Sequence, residues 1–139
     1  MGRRFFEQVM GVYFDDLDSY HILHNARYLL LFERTLGEFW RELGFGALQH
    51  EDTPELFHYV RANNIEYLTP VFGVCRIRVR VWIEKLGTTS LTFGFCLMPL
   101  DEDRQHAAGT RTVVCVDPDT HRPNAWSDDF RARLEPWIR

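Results

Sequence analysis

The sequence has few cysteines, no long apolar run and no surplus of positive charge, and each shortage closes off a class of protein. Its three cysteines are Cys75, Cys96 and Cys115. The number is odd, no two stand at CxxC spacing, and all three lie in apolar stretches. Buried reduced thiols in a cytoplasmic protein are therefore expected, not a disulfide framework. The longest apolar run, Tyr28–Phe32, falls far short of the roughly 20 residues a spanning helix needs, so no membrane partner is expected. Near the N-terminus Phe5-Phe6 gives way at once to Glu7 and Gln8, which leaves no apolar core for a signal peptide. Gly2 has no Ser or Thr at the myristoylation spacing. Sixteen Lys+Arg against twenty Asp+Glu leave a net charge of −4, without the basic footprint that sequence-independent nucleic-acid binding requires. Repeats and low-complexity segments are also lacking.

What remains is an ordinary globular composition, 45% hydrophobic and 26% charged over 139 residues, which suits one domain spanning residues 1–139. Phe5–Phe14 reads as a first strand and Asp15–His24 as a polar loop. Leu29, Phe32, Leu36, Phe39, Trp40 and Leu43 recur at helical spacing, which predicts one long helix over Asn25–Leu43, with Asn25 as N-cap and Gly44 as its stop. Gly46–Glu55 reads as a loop and Phe57–Tyr67 as a strand, broken at Thr69-Pro70. From Cys75 to Glu84, apolar Cys75, Ile77, Val79, Val81 and Ile83 alternate with Arg76, Arg78, Arg80, Trp82 and Glu84, the period of a strand with one face in a core and the other largely in water. Gly87-Thr88 turns the chain. Leu91, Phe93, Phe95 and Leu97 continue the alternation, and His106–Asp117 is the last long strand. Ser127-Asp128-Asp129 caps a short helix to Leu134, stopped by Pro136. One strand, one long amphipathic helix and a run of antiparallel strands make an α+β domain in which the sheet wraps around the helix.

Three segments carry a resemblance. The first is Val12-Tyr13-Phe14-Asp15-Asp16-Leu17-Asp18-Ser19-Tyr20-His21-Ile22-Leu23-His24-Asn25-Ala26-Arg27-Tyr28-Leu29 with Phe32-Glu33-Arg34. The others are Ile65-Glu66-Tyr67-Leu68-Thr69-Pro70 and Val113-Val114-Cys115-Val116-Asp117-Pro118. Together they resemble the hotdog-fold acyl-CoA thioesterases of the 4-hydroxybenzoyl-CoA thioesterase type, over about Gln8 to Leu134. The resemblance implies a hotdog fold that dimerises by joining two sheets edge to edge, often with dimers pairing into tetramers, and active sites at the dimer interface. It also implies thioester hydrolysis with no metal or organic cofactor, coenzyme A being part of the substrate.

Thioester hydrolysis needs a carboxylate near the carbonyl, as general base to a water or as nucleophile. The resemblance assigns this to Asp18, the second Asp of an Asp-x-Asp loop; the bland alternative is an acidic loop. It assigns the backbone N–H at Asn25 to the oxyanion, a role that suits the free N–H groups and positive dipole end of a helix N-terminus. Glu33, at the edge of the apolar stripe, needs a polar partner and is the backup carboxylate. Tyr20 and His21 stand where the family carries glycine, so a left-handed backbone there would be costly. Tyr20, His21 and His24 are candidate substrate contacts. Asp18, His21 and His24 are too loosely spaced, with no fourth ligand, for a zinc site. Lys85, Thr88 and Ser90 fall at the turn where relatives contact coenzyme A, and Arg76, Arg78 and Arg80 suit phosphate or simply a solvated face. Tyr20, Trp40, Phe57 and Tyr59 are expected to line an acyl pocket. The sequence does not choose an acyl group, nor between coenzyme A and an acyl carrier protein as carrier. The rival reading is a non-catalytic hotdog protein that binds acyl thioesters as a sensor or accessory subunit. A dehydratase of the same fold fits the pattern less well.

Overall fold

The computed structural model describes residues 4–45 and 57–138; the expected loop Gly46–Glu55 lies outside the described residues. Five antiparallel strands form one sheet: β1 (Phe6–Val12), β2 (His58–Tyr67), β3 (Cys75–Leu86), β4 (Ser90–Pro99) and β5 (Ala107–Cys115). Their spatial order is β1-β3-β4-β5-β2, so β2 crosses to the edge opposite β1. The long helix α1 (Tyr28–Glu42) lies against one face, and a short helix α2 (Asp128–Leu134) closes one end. This is the expected α+β hotdog arrangement.

The apolar stripe of α1 accounts for its seat. Phe32 stacks on Phe95 with ring centroids 4.2 Å apart, and Phe39 meets Phe93 edge-on while stacking on Phe6. Phe32, Phe39, Phe93 and Phe95 have no exposed surface, and burying each ring stabilises the fold by about 1.5–3 kcal/mol. Gly44 ends the helix as expected. Its φ of +94° allows Gly44 N–H to reach Arg41 O and Phe45 N–H to reach Trp40 O, satisfying carbonyls the last turn would leave bare. The start differs from expectation. Asn25–Arg27 form a 3-10 turn before α1, and the cap is His24, whose Nδ1 accepts the Ala26 N–H at 3.0 Å. An imidazole nitrogen one residue earlier does what the Asn25 amide was expected to do. Ser127 caps α2 as read, accepting the Phe130 N–H.

The outer face of the sheet is drier than the alternation implies. On β4, Gly94, Cys96 and Met98 are buried as fully as the inward Leu91, Phe93, Phe95 and Leu97. The cause is on β3. Arg78 donates to Pro99 O and Glu102 O and pairs with Glu7 and Asp103, while Arg80 pairs with Glu7 at 2.5 Å. Their aliphatic stems, with the Trp82 ring over Gly94, roof the strand. Both guanidinium groups are thereby committed, and the phosphate role considered for Arg78 and Arg80 falls away; Arg76 remains exposed.

All three cysteines are free thiols, Cys96 and Cys115 buried and Cys75 half-buried. Burial pushes the Cys96 thiol up to about 11, against a smaller opposite pull from Arg80, and raises Cys75 as well. Thiolate is the reactive form. At pH 8 iodoacetamide should therefore label Cys96 in the native protein far more slowly than in the urea-unfolded chain, as read by peptide mass spectrometry. Equal rates would mean the roof over β4 does not exclude the reagent.

Candidate active site

The site is built where the exit of β1, the N-terminus of α1 and the connection from β2 to β3 meet. After β1, Asp16 is buried; its Oδ2 accepts the Tyr13 N–H at 2.8 Å and its Oδ1 lies 3.8 Å from Arg27 Nε. Residues 17–23 then form a tight hairpin closed by a Leu17–Leu23 bridge and by Asp18 N–H to Ile22 O at 2.8 Å. Asp18 organises this hairpin from within: its Oδ1 accepts the N–H groups of Tyr20, at 2.8 Å, and Ile22, at 3.4 Å. Such side-chain-to-backbone bonding two residues on is why Asp suits turns. Asp18 Oδ2 receives no hydrogen bond among the described residues. His21 nevertheless takes the left-handed conformation, φ +62°, although its Cβ argued for a different loop geometry, at a cost of about 1 kcal/mol.

The hairpin is tied to the β2–β3 connection. Leu23 N–H donates to Val71 O and Gly73 N–H to His21 O, both at 2.9 Å, and Ile22 bridges Phe72. Between them is a cavity of about 270 Å³, lined by Asp18, Asn25, Tyr28 and Tyr67 together with Leu68-Thr69-Pro70. At the helix start the Ala26 N–H goes to the His24 ring and the Arg27 N–H to the His24 carbonyl. The Asn25 N–H has no acceptor among the described residues. Tyr67 Oη donates to Asn25 O at 3.1 Å, and its ring meets Tyr28 edge-on at 4.9 Å. Burial pushes the Tyr28 hydroxyl above its usual range, with Tyr67 and Asp18 adding to it, so it stays neutral. A carboxylate oxygen without a donor, a free N–H at a helix N-terminus and a neutral phenol thus share one small cavity.

The structure brings together Asp18 and Asn25 and disperses the other sequence candidates. Glu33 is outside the cavity; its carboxylate binds Arg111 Nη1 at 2.7 Å, the partner its position called for. Arg111, only 7% exposed at its side chain, also donates to Asn63 and lies over the Phe32 ring. Tyr20 points into solvent, 82% exposed, and supplies only its N–H to Asp18. His21 contributes backbone, and His24 is spent as the cap. Lys85, Thr88 and Ser90 sit at the opposite end of the sheet, since β3 runs its whole length between them and the Cys75 end. The expected acyl-pocket residues also lie elsewhere. Trp40 is core against Phe45, Phe93 and Phe130, whereas Phe57 and Tyr59 group with His121, to which Tyr59 Oη hydrogen-bonds. Among the described residues, no three His, Cys, Asp or Glu side chains are placed to share a metal ion, and no helix is long and apolar enough to cross a membrane.

Tyr28, Tyr67, Leu68, Thr69 and Pro70 were not assigned to the site from sequence, although they lie inside two of the segments that carry the resemblance. The signal that could have found them is the polar ring on an otherwise apolar helix start and the Thr-Pro break after β2. A buried histidine holds that wall in place. His106 O accepts the Leu68 and Thr69 N–H groups, and its Nδ1 lies 3.2 Å from Thr69 Oγ1.

Comparison with known proteins places these features in context. The sequence profile of the thioesterase-like superfamily matches residues 12–134. The acyl-CoA thioester hydrolase YbgC of Escherichia coli O157:H7 is 28% identical over 127 residues, covering 90% of this chain and 92% of that protein. A thioesterase predicted in Bacillus stearothermophilus superposes with a TM-score of 0.84 at 20% identity, covering 98% of each chain. A hypothetical protein from Staphylococcus aureus in complex with CoA gives 0.86 at 16% identity, covering 99% of this chain and 85% of that one. The two structures establish likeness of fold.

Burial holds the His106 imidazole below its ordinary value of 6.5, outweighing the hydrogen bond to the Thr69 backbone that pulls it up, while Arg104 lowers it and Glu102 raises it to smaller extents. The unfolded chain therefore takes up this proton at a higher pH than the folded one. Its contribution to stability is complete above pH 6.5 and is lost as the pH falls below that value. Thermal unfolding followed from pH 8 to pH 5 should show the wild type losing Tm more steeply below 6.5 than His106→Gln. Parallel curves would remove His106 as the cause.

Proposed function

Because the chain belongs to the thioesterase-like superfamily and is a thioester hydrolase of hotdog fold, we propose that it hydrolyses acyl-CoA to free acid and CoA with Asp18 as the reacting carboxylate. The observation that carries this is the pairing, in one cavity, of the uncommitted Asp18 Oδ2 with the uncommitted Asn25 N–H. A thioester carbonyl lodged there has its oxygen toward the helix N-terminus. Asp18 Oδ2 takes a proton from water, whose oxygen attacks the carbonyl carbon. The resulting oxyanion is held by the Asn25 N–H and the positive end of α1; one such donor is worth about 3 kcal/mol in comparable sites. Collapse breaks the carbon–sulfur bond, and the departing thiolate recovers the proton from Asp18. Direct attack by Oδ2, giving a mixed anhydride that water then splits, uses the same geometry. The chemistry calls for no resident metal or organic cofactor. The acyl carrier is CoA or an acyl carrier protein, and the three free thiols suit a cytoplasmic protein.

The working unit in this reading is a homodimer, or a tetramer of two dimers. β2 is an edge strand of ten residues, most of them exposed, with one side free to pair. Ser90 pairs with Val114 and His58 with Cys115, so the Lys85–Ser90 turn lies at the His58 end of β2, whereas the Asp18 cavity lies at the Tyr67 end. An antiparallel copy of β2 sets the turn of one protomer on the side of the other's cavity. Lys85, Thr88 and Ser90 then become substrate contacts across the interface.

A panel of short, long and aromatic acyl-CoAs, with free thiol detected, tests the chemistry. Asp18→Asn should lower kcat roughly 10²–10⁴-fold with the circular dichroism unchanged, and EDTA should leave the wild type unaffected. Turnover that survives Asp18→Asn rejects the assignment. A folded wild type that binds acyl-CoA but never cleaves it is instead the acyl-thioester-binding protein. Sedimentation equilibrium should return a dimer or tetramer; a monomer at micromolar concentration that retains full activity would sink the shared site.

A further inference from the structure

A second cavity, of about 610 Å³, lies on the far side of the wall that closes the Asp18 cavity. Thr69 and Pro70 line both. The second cavity has an apolar wall of Val71, Ile77, Pro99 and Leu100 and a charged rim of Arg76, Asp101 and Arg104, and Phe72, 72% exposed, stands at its margin. The two-residue partition is pinned from one side by the β4–β5 turn: Thr69 Oγ1 accepts from Arg104 Nη1 at 3.0 Å, donates to Gln105 O at 3.3 Å and lies 3.2 Å from His106 Nδ1, while His106 O holds the Leu68 and Thr69 N–H groups. From the other side it is held by the Leu23–Val71 bond next to Pro70. The smaller cavity is below the range of about 300–1,000 Å³ typical of sites for drug-sized ligands. Within one protomer it has room for a short or single-ring acyl group.

We propose that the Thr69–Pro70 partition sets acyl length, favouring short or single-ring acyl groups in the wild type, and that the apolar wall of the second cavity is an extension reached when the hold on Thr69 is loosened. This rests on the reading that the thioester sits at Asp18. Beside the main-chain bonds of Leu68, Thr69 and Val71, the wall is held by one hydroxyl and one imidazole rather than by bulk, so loss of the hydroxyl loosens the strap without filling either cavity. Each methylene then buried in the second cavity adds about four-fold to affinity.

Affinity for a ladder of non-hydrolysable S-alkyl-CoA thioethers, from ethyl to dodecyl, measured by calorimetry, reads the partition without turnover. In the wild type, affinity should climb to about the hexyl ether and then level. In Thr69→Ala it should keep climbing, with at least a ten-fold gain for dodecyl, and Leu100→Trp added to Thr69→Ala should restore the plateau by filling the second cavity. Arg104→Gln, which removes one of the three partners of the same hydroxyl while leaving Thr69 in place, should shift the ladder in the same direction by a smaller factor. A wild type whose affinity climbs unbroken to dodecyl, a flat Thr69→Ala ladder, a gain that survives Leu100→Trp, or no binding of any ether by folded protein each overturns the proposal. Hydrolysis of the matching acyl-CoAs, run in parallel, separates the two readings: an intact ladder without turnover discards the catalytic role of Asp18 and keeps the partition.

Discussion

The site depends on one seam, the backbone bonds that tie the 17–23 hairpin to the β2–β3 connection. Leu23 N–H to Val71 O and Gly73 N–H to His21 O join segments about fifty residues apart in sequence. Without them Asp18 would sit on a free loop and Thr69-Pro70 would have nothing to close against. The seam also explains the left-handed backbone of His21. Its carbonyl must turn outward to reach Gly73 while its own N–H turns back to Asp18 O. The conformational cost falls on one residue, and in return two loops become one wall of a cavity.

Much of the fold was legible because its periodicities are strong. The alternation of Cys75–Glu84 and of Leu91–Leu97, and the helical stripe from Leu29 to Leu43, each describe an element whose apolar face finds the same core. The departures are local and have local causes. The helix began with a 3-10 turn because His24, an uncommon cap, offers its ring nitrogen to Ala26. β4 is buried on both faces because long side chains of the neighbouring strand fold over it, and binary patterning treats Arg as a residue that belongs in water.

The candidate site was legible in its carboxylate and its helix end, both short-range features of one contiguous segment. Its other half was not, since Tyr67–Pro70 reach Asp18 only through the crossing of β2 to the far edge. Glu33 shows the same limit. Its need for a partner was readable from the helix face, but the partner, Arg111, lies on β5 and was out of reach of any local pattern. The wrong expectations for Trp40, Phe57 and Tyr59 came from treating aromatic residues as pocket material when the core and the His58 end of the sheet had claims on them.

The double burial of β4 has a consequence for motion. Local opening follows the loss of buried contacts, so a sheet whose centre is covered on both faces and whose edge strand β2 is largely exposed carries a gradient of stability across its width. Within a single protomer, slow near-global opening is expected of the strands beneath α1 and low-energy fraying of the far edge. The cavity straddles that gradient. Asn25 begins the helix seated on the rigid side, while Tyr67 ends the exposed edge strand, and the strap after it is pinned by His106 and by the seam to the Asp18 hairpin. The two candidate groups, Asp18 on the seamed hairpin and Asn25 at the helix start, therefore stand next to the boundary between the rigid and the soft parts of the sheet.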